Sequence, residues 1–327
     1  MRGRSAIWRP LADQYGLLAL VLLVSISVAN AISPGILSLT NFSAMTTFGV
    51  EIGLLAFGET VIILGGGGGI DLSVGSMFAV SQVVVAVLVQ QGADIWLGIA
   101  AGIASGVIMG SINGWLVTRV RIPAIITTLA TMYAYSGTAL LLTNGIDISN
   151  FPAAFNVFGQ GMVLGLPFQF VAVYVPVAII LWFVLTKTLY GYRLYLTGTN
   201  QTAAILSGID IHRVRMGAYV LTGLLCSLAG IIDASRLATA RPDAGLSANL
   251  EAITIAVLGG TSIFGGRGTI GGTIMATLVI TLLGYSFSLA NINSVIETGT
   301  VGLILIAVVL GQHFVRRWTA AVSPRRS

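Results

Sequence analysis

The sequence predicts an all-α protein that crosses a membrane about ten times. Apolar stretches of about 20 residues, the length of a membrane-spanning helix, recur along the chain. Of the 327 residues, 56% are hydrophobic and 8% are charged, whereas about a quarter of the residues in a soluble domain are charged. With a mean hydropathy of +0.95, the chain has too few polar residues to cover a water-facing surface.

Ten apolar stretches are the predicted spans. They cover residues 14–33, 46–64, 70–90, 95–117, 122–142, 166–186, 215–235, 250–263, 269–290 and 294–312. An even number of crossings places both termini on the same side of the membrane. No linker or internal repeat divides the chain, so residues 1–327 are predicted to form a single transmembrane domain.

The 16 Lys and Arg residues predict the orientation. When the spans are threaded through a bilayer in order, only Arg236 and Arg241 fall on the minority side. Loop cations prefer the cytoplasmic side, so both termini and the segment 187–215 are predicted to be cytoplasmic. The spans separate these cations into small groups, which excludes nucleic-acid binding. Arg2 to Arg9 and the following apolar run also resemble a signal peptide, although the later spans need none.

Several kinds of chemistry are excluded by residue types. Cys226 is the only cysteine, and His212 and His313 are isolated, so no disulfide framework or metal site is predicted. The only lysine, Lys187, follows threonine and lies outside any Gly-x-x-x-x-Gly-Lys-Ser/Thr motif. The chain is therefore predicted to be no enzyme and to bind no cofactor, with any ATP bound by a partner.

Two glycine-rich segments interrupt the apolar stretches. Gly65 to Gly69 separate the second and third predicted spans, and Gly259 to Gly268 follow the short eighth one. Glycine runs at membrane depth are typical of broken helices, which transporters place near their substrate path. The alternative is close helix packing through small residues.

The two longest connections carry opposite signatures. Residues 143–165 contain Asp147 and no cation, and are predicted to face outward. Within 187–215, Thr199 or Asn200 is placed to cap a helix of about two turns and Gly208 to end it. Ala203, Ala204 and Ser207 would give that helix a face of small side chains that fits a groove on a partner. The alternative is an ordinary amphipathic loop helix.

Polar residues at membrane depth are the candidates for a substrate path. They are Asp71, Ser73, Asn113, Thr128, Thr131 and Tyr135. Ionisable groups in spans are costly and are functional candidates by default. Asp71 has an alternative role in capping the third span, and the roles of Glu59 and Glu251 are open.

The motifs together resemble the ribose-type permeases of bacterial ABC sugar importers. The motifs that carry the resemblance are Gly69–Ser76, Asn113-Gly114, Ile122–Ala124, Thr128–Met132, Asn200–Ile209 and Ala256–Gly268. Gly259–Gly268 and Arg241–Gly245 look most similar to permeases for rhamnose or for an autoinducer. The chain has Asn249-Leu250-Glu251 where the family often has Glu-Leu-Asp.

The resemblance implies a type II ABC importer-like permease fold in the bacterial inner membrane. It implies a cytoplasmic ABC ATPase, a periplasmic sugar-binding protein and a second permease chain, identical or different, as partners. The residues expected to couple to the ATPase are Asn200, Ala203, Ala204, Ser207, Gly208 and Ile209. Residues 147–155 are expected to contribute to the dock for the binding protein.

The predicted function is the permease subunit of an ATP-driven importer of a monosaccharide or related polyol. The sequence does not distinguish rhamnose, ribose, an autoinducer or another sugar. A proton-coupled secondary transporter is an alternative that explains Glu59 but gives the segment 187–215 no role. A nonconducting scaffold or channel subunit is a further alternative that does not explain the broken helices.

Overall fold

The structure, a computed structural model, describes residues 18–19, 21–27, 29–31, 35–36 and 38–322. The arginines of both termini that support the predicted orientation lie partly outside these residues, and so does much of the first predicted span. In the described part, helical residues 21–27 and 29–31 belong to that span.

Every later predicted span corresponds to a helix. The membrane helices are α1 (Leu39–Leu64), α2 (Val74–Gln90), α3 (Ile95–Trp115), α4 (Ala124–Thr143), α6 (Val175–Lys187), α9 (Ile211–Leu237), α10 (Ala248–Leu258), α11 (Ile270–Leu289) and α12 (Ser294–Val322). Wider π-helical turns extend α3 through Leu116–Val120 and precede α6 at Phe170–Tyr174. Six of the described helical segments are long and apolar enough to cross a membrane, which supports the predicted all-α polytopic fold.

Short elements fill the connections. They are a 3-10 turn (Ala153–Asn156), α5 (Val157–Gln160), α7 (Leu189–Thr199), α8 (Gln201–Leu206) and strands β1 (Ile148–Ser149), β2 (Met162–Val163), β3 (Leu166–Pro167) and β4 (Thr239–Ala240). β1 pairs antiparallel with β4, with Ile148 opposite Ala240. β2 and β3 form a hairpin in which Val163 is opposite Leu166.

The core lies around α1 and α9. Of the most apolar 18 residues of α1, 89% are buried within the protein. Over the π-helical turn and α6 together, only 22% of the residues are buried. α9 packs on α1, α2 and α3. Glycines permit the close approach, since a Cβ added at Gly106 would lie 2.3 Å from the carbonyl oxygen of Gly223. Most residues of α2 and α10 are buried as well, whereas most residues of α3, α4 and α6 lie at the surface of the bundle.

The connections gather at two ends of the bundle. We call the end with Gly65–Gly69, Gly198–Thr199 and Gly265–Arg267 the glycine end, and the end with β1, β4 and Gly159 the strand end. At the glycine end the N–H of Gly266 donates to the carbonyl of Leu64 at 3.0 Å. Threading the chain places the members of each group on the same side of the membrane, as found. The charge pattern predicts that the glycine end is cytoplasmic.

Candidate functional site

Four of the predicted path residues form one hydrogen-bonded group, here called the polar cluster: Asp71, Ser73, Asn113 and Tyr135. Asp71 Oδ1 accepts from the N–H and the hydroxyl of Ser73 at 2.8 and 2.6 Å. Asn113 Nδ2 donates to Ser73 Oγ at 2.7 Å and to Asp71 Oδ2 at 3.3 Å. Tyr135 donates its hydroxyl to Asn113 Oδ1 at 3.2 Å. Polar groups at membrane depth need partners, and these satisfy one another.

The other two predicted path residues lie beside the cluster. Thr128 donates to the carbonyl of Ile70 at 3.2 Å, and Thr131 donates to the carbonyl of Thr128 at 3.3 Å. The six predicted residues are at most 8% exposed. The side chains are thus buried in this structure of the single chain, at the start of α2 and on α3 and α4. Their place on the substrate path stays a prediction.

The turn before α2 explains the position of Asp71. The helix begins at Val74 and not at residue 70, and Ser73 is its N-cap residue. Asp71 therefore holds the turn that precedes the helix and does not cap the helix itself. Its N–H donates to Glu59 Oε2 at 3.4 Å, and the side chain of Glu59 is fully buried. Among the described residues, Glu59 Oε1 has no hydrogen-bond partner.

The glycine run has features of both predicted interpretations. Gly66, Gly67 and Gly68 adopt positive φ angles of 65°, 69° and 73°, so the chain breaks its helix between α1 and α2. Gly66 also packs tightly, because a Cβ added there would lie 2.7 Å from the Cα of Gly198. Gly265 approaches from the other side, where an added Cβ would lie 2.5 Å from the Cα of Gly66. Three distant chain segments meet through bare backbone.

The predicted coupling helix is present as α8. The Asn200 side chain accepts from the N–H of Ala203 at 3.0 Å and caps it. Gly208 follows in a left-handed conformation with φ 77°, and the N–H of Ile209 donates back to the carbonyl of Ala204 at 3.0 Å. The cap and the glycine stop are therefore confirmed.

The predicted small-residue face is wrong at Ala204. Its side chain is 2% exposed and packs inside the chain, so it cannot enter a groove on a partner. Ala203 and Ser207 are exposed. The exposed apolar residues are Ile205 and Leu206, at 52% and 84%. We call these two the apolar tip, which sequence reasoning missed although apolar residues in a polar segment were a visible signal.

Two further features of this segment were missed. α7 buries Gly191, Leu194 and Thr197, a three-residue spacing typical of one helix face. Arg215 donates from Nε to the carbonyl of Gly65 at 3.1 Å and from Nη2 to Gln201 Oε1 at 3.0 Å. The first residue of α8 is thus connected through one guanidinium to the end of α1.

Asp210 begins α9 beside this segment. Its Oδ1 accepts from the N–H groups of Arg213 and His212, each at 3.1 Å. The backbone hydrogen bond from Arg213 is the main cause that lowers the pKa of Asp210. The carboxylate also pairs with the guanidinium of Arg213 at 2.9 Å.

Arg236, one of the two cations on the minority side, lies in a buried ion-pair group at the strand end. Its Nε contacts Glu51 Oε1 at 2.7 Å and its Nη2 contacts Asp233 Oδ1 at 2.6 Å. The guanidinium lies 5.1 Å from the ring centroid of Phe48. Arg236 pairs with two buried carboxylates, which gives it a structural reason to depart from the charge rule.

Comparison with known proteins identifies a family for this chain. Residues 41–310 match the family described as branched-chain amino acid transport system / permease component. The chain is 41% identical over 307 residues to the ribose import permease RbsC of Bacillus subtilis, covering 93% of this chain and 92% of that protein. It is 34% identical over 305 residues to RbsC of Escherichia coli K12, covering 92% and 93% of the two chains.

A third relative is the autoinducer 2 import system permease LsrD of Escherichia coli SMS-3-5. The identity is 33% over 301 residues and covers 90% of each chain. No solved structure matches the chain.

Proposed function

Because the chain belongs to this family of transport-system permease components, we propose that it is the membrane subunit of an ATP-driven importer of a monosaccharide or related polyol. The observation that carries the substrate class is the 41% identity to a ribose import permease over 93% of the chain. The autoinducer relative keeps the class open to other small polyols. We place the protein in the bacterial inner membrane, with the glycine end in the cytoplasm.

The geometry at the glycine end supports an ATPase as the partner there. The apolar tip, Ile205 and Leu206, projects from a short capped helix, and Leu206 is 84% exposed. Single exposed apolar residues are normal on a protein surface, but Ile205 and Leu206 are adjacent on one short helix, and we infer that a partner covers them. Since the first residue of α8 is connected through Arg215 to α1, movement of the tip would be transmitted to the core.

The remaining assembly follows from the family. We propose that a periplasmic sugar-binding protein docks at the strand end, where residues 147–155 lie, and that a second permease chain completes the path. The permease itself neither binds nor hydrolyses ATP in this proposal.

The experiment that tests the function is reconstitution with a candidate ABC ATPase and a candidate sugar-binding protein from the same organism. Vesicles with all subunits should take up labelled ribose or a related sugar only with ATP. Leu206→Glu should abolish ATPase association and uptake, because it puts a charge into an apolar contact. The matched control is Leu164→Glu, at a leucine 95% exposed in the β2–β3 hairpin. The proposal fails if no sugar of a broad panel enters, or if Leu206→Glu transports normally.

A proton-coupled transporter is the second candidate, favoured by the buried Glu59 with its unpartnered Oε1. Glu59→Gln keeps the shape of the side chain and removes its charge. Under the ATP-driven proposal, uptake should persist in this variant and should not respond to an uncoupler at constant ATP. Loss of uptake on uncoupling would favour the proton-coupled alternative.

A further inference from the structure

The segment 241–247 descends from the strand end into the membrane. At its start, the N–H of Arg241 donates to Gln82 Oε1 at 3.1 Å. Near its end, Gly245 touches α2, since a Cβ added at Gly75 would lie 2.1 Å from its carbonyl oxygen. A helix rises about 1.5 Å per residue, so these contacts lie about 12 and 22 Å below Gln90. The hydrocarbon core is about 30 Å thick, and the segment therefore reaches its interior.

The segment is anchored at its inner end. Asn249 Oδ1 accepts from the N–H of Gly75 at 2.6 Å, and its amide donates to Met132 Sδ at 3.4 Å. The backbone makes two turns. The N–H of Ala244 donates to the carbonyl of Arg241, and the N–H of Ala248 donates to the carbonyl of Gly245. The half-length helix α10 then continues toward the glycine end.

Over the first four residues of the segment the side chains alternate between the outside and the protein interior, and Leu246 is also exposed, at 75%. Pro242 and Ala244 are buried, whereas Arg241, Asp243 and Ser247 are exposed. Among the described residues, no ion pair involves Arg241 or Asp243. Non-helical backbone at membrane depth occurs only where it is buried in protein or lines a water-filled cavity. Exposed charges at this depth are equally incompatible with lipid, so this face meets water or another protein chain.

We propose that Arg241, Asp243 and Ser247 line the substrate path and hydrogen-bond the hydroxyl groups of the passing sugar. The guanidinium supplies donors, the carboxylate supplies acceptors and the hydroxyl supplies both, which matches the diols of a polyol. The opposite charges of Arg241 and Asp243 leave the strip without net charge, as suits a neutral substrate. This assignment rests on the proposed function and adds the residues that contact its substrate.

Accessibility of introduced cysteines tests the water-filled face. In a Cys226→Ala background of the full transporter, cysteines at 241, 243 and 247 should react with a charged, membrane-impermeant thiol reagent in the resting or the vanadate-trapped state. Added sugar should slow the reaction. The matched control is Ile180→Cys on α6, 57% exposed, which should react only with a lipid-soluble maleimide. Unreactive cysteines at all three positions in both states would overturn the assignment and favour a dry contact with the second permease chain.

Transport kinetics test the contact with the sugar. Loss of one charge-assisted hydrogen bond should lower the maximal uptake rate of Asp243→Ala or Arg241→Ala by about tenfold. The ATPase rate should fall less than uptake, and Asp243→Asn should recover part of the rate because it keeps one acceptor oxygen. A merely structural role predicts equal loss of both rates. If wild-type vesicles import no sugar, the proposed function fails; if they do and these variants match wild type, only the path assignment fails.

Discussion

The strand end and the glycine end are held together mainly by different physical means, although Gly159 at the strand end also packs against the backbone of Arg236. At the strand end, Arg236 bridges Glu51 and Asp233 through side chains, and β1 pairs with β4. At the glycine end, Gly66, Gly198 and Gly265 touch backbone to backbone. Side-chain contacts can adjust by changing rotamer, whereas a backbone contact leaves no room for any side chain. The glycine end should therefore be the less tolerant of substitution, although it contains fewer strong bonds.

Gly198→Val should have the largest effect. A Cβ at this position would lie 2.0 Å from the carbonyl oxygen of Leu64 and 2.4 Å from the nitrogen of Gly266. Both atoms belong to the backbone, so the cost should exceed the roughly 1–3 kcal/mol typical of overpacking. We expect no monodisperse protein in fluorescence-detected size-exclusion chromatography. Gly137→Ala is the control, since nothing lies within 4 Å of its added Cβ; normal folding of Gly198→Val would refute the comparison.

Arg236→Gln should have the next largest effect. It leaves two buried carboxylates without their cation, and breaking a buried ion pair typically costs about 3–5 kcal/mol. The guanidinium side chain is 16% exposed, so we expect the lower end of that range and a clear fall in the thermal midpoint of the solubilised protein. Adding Glu51→Gln should restore part of the loss. No recovery in the double variant would mean that Arg236 acts through packing on Phe48.

Arg215→Ala and Gln201→Ala should mainly change the coupling between ATP hydrolysis and sugar import. The guanidinium of Arg215 donates to oxygens of Gly65 and Gln201, and because the donor is charged and partly exposed, each bond contributes about 1.5 kcal/mol, the low end for charge-assisted hydrogen bonds. Each single variant should hydrolyse ATP while importing less sugar per ATP. The double variant should be no worse than Arg215→Ala, because both lie on one connection. Additive losses of coupling would show two independent routes.

Asp210→Asn should have the smallest effect on stability. It removes an exposed ion pair, so its comparison with Arg236→Gln shows how much burial contributes to the strength of an ion pair. Asn caps helices as well as Asp does, so only the exposed pair with Arg213 is lost, and exposed pairs contribute little. Because the folded pKa of Asp210 is lowered, its stabilisation is present above the ordinary aspartate pKa and is lost as pH falls through the lowered value. Thermal midpoints of variant and wild type should differ slightly at neutral pH and converge in acid; a difference as large as that of Arg236→Gln would contradict this account.

The sequence predicted those parts of the molecule that depend on neighbouring residues along the chain or on the surrounding lipid and water. Long apolar stretches had to be helices, and the Asn200 cap with its Gly208 stop is local chemistry. Asp71, Ser73, Asn113 and Tyr135 stand out in the sequence as polar groups at membrane depth, which need partners. All of these could be anticipated without knowing how the helices pack.

The features that sequence reasoning missed depend on packing. Ala204 is buried because α7 and α9 lie beside it, and its small size alone could not show which side faces outward. The Gly66–Gly198–Gly265 contact joins segments far apart in sequence. The descent of residues 241–247 is fixed by Gln82 and Gly75 on another helix, and no periodicity encodes such a path.

The short length of α10 has a consequence for how the protein enters the membrane. Its 11 residues extend only about 16 Å, half of the hydrocarbon thickness, and the approach to it contains Arg241 and Asp243. Each such charge adds about 2.5–3.5 kcal/mol to insertion at a helix centre. The region cannot partition into lipid as an independent span during synthesis. We expect it to remain at the translocon until α11 and α12 have emerged, so that about the last quarter of the chain is inserted as one cooperative unit.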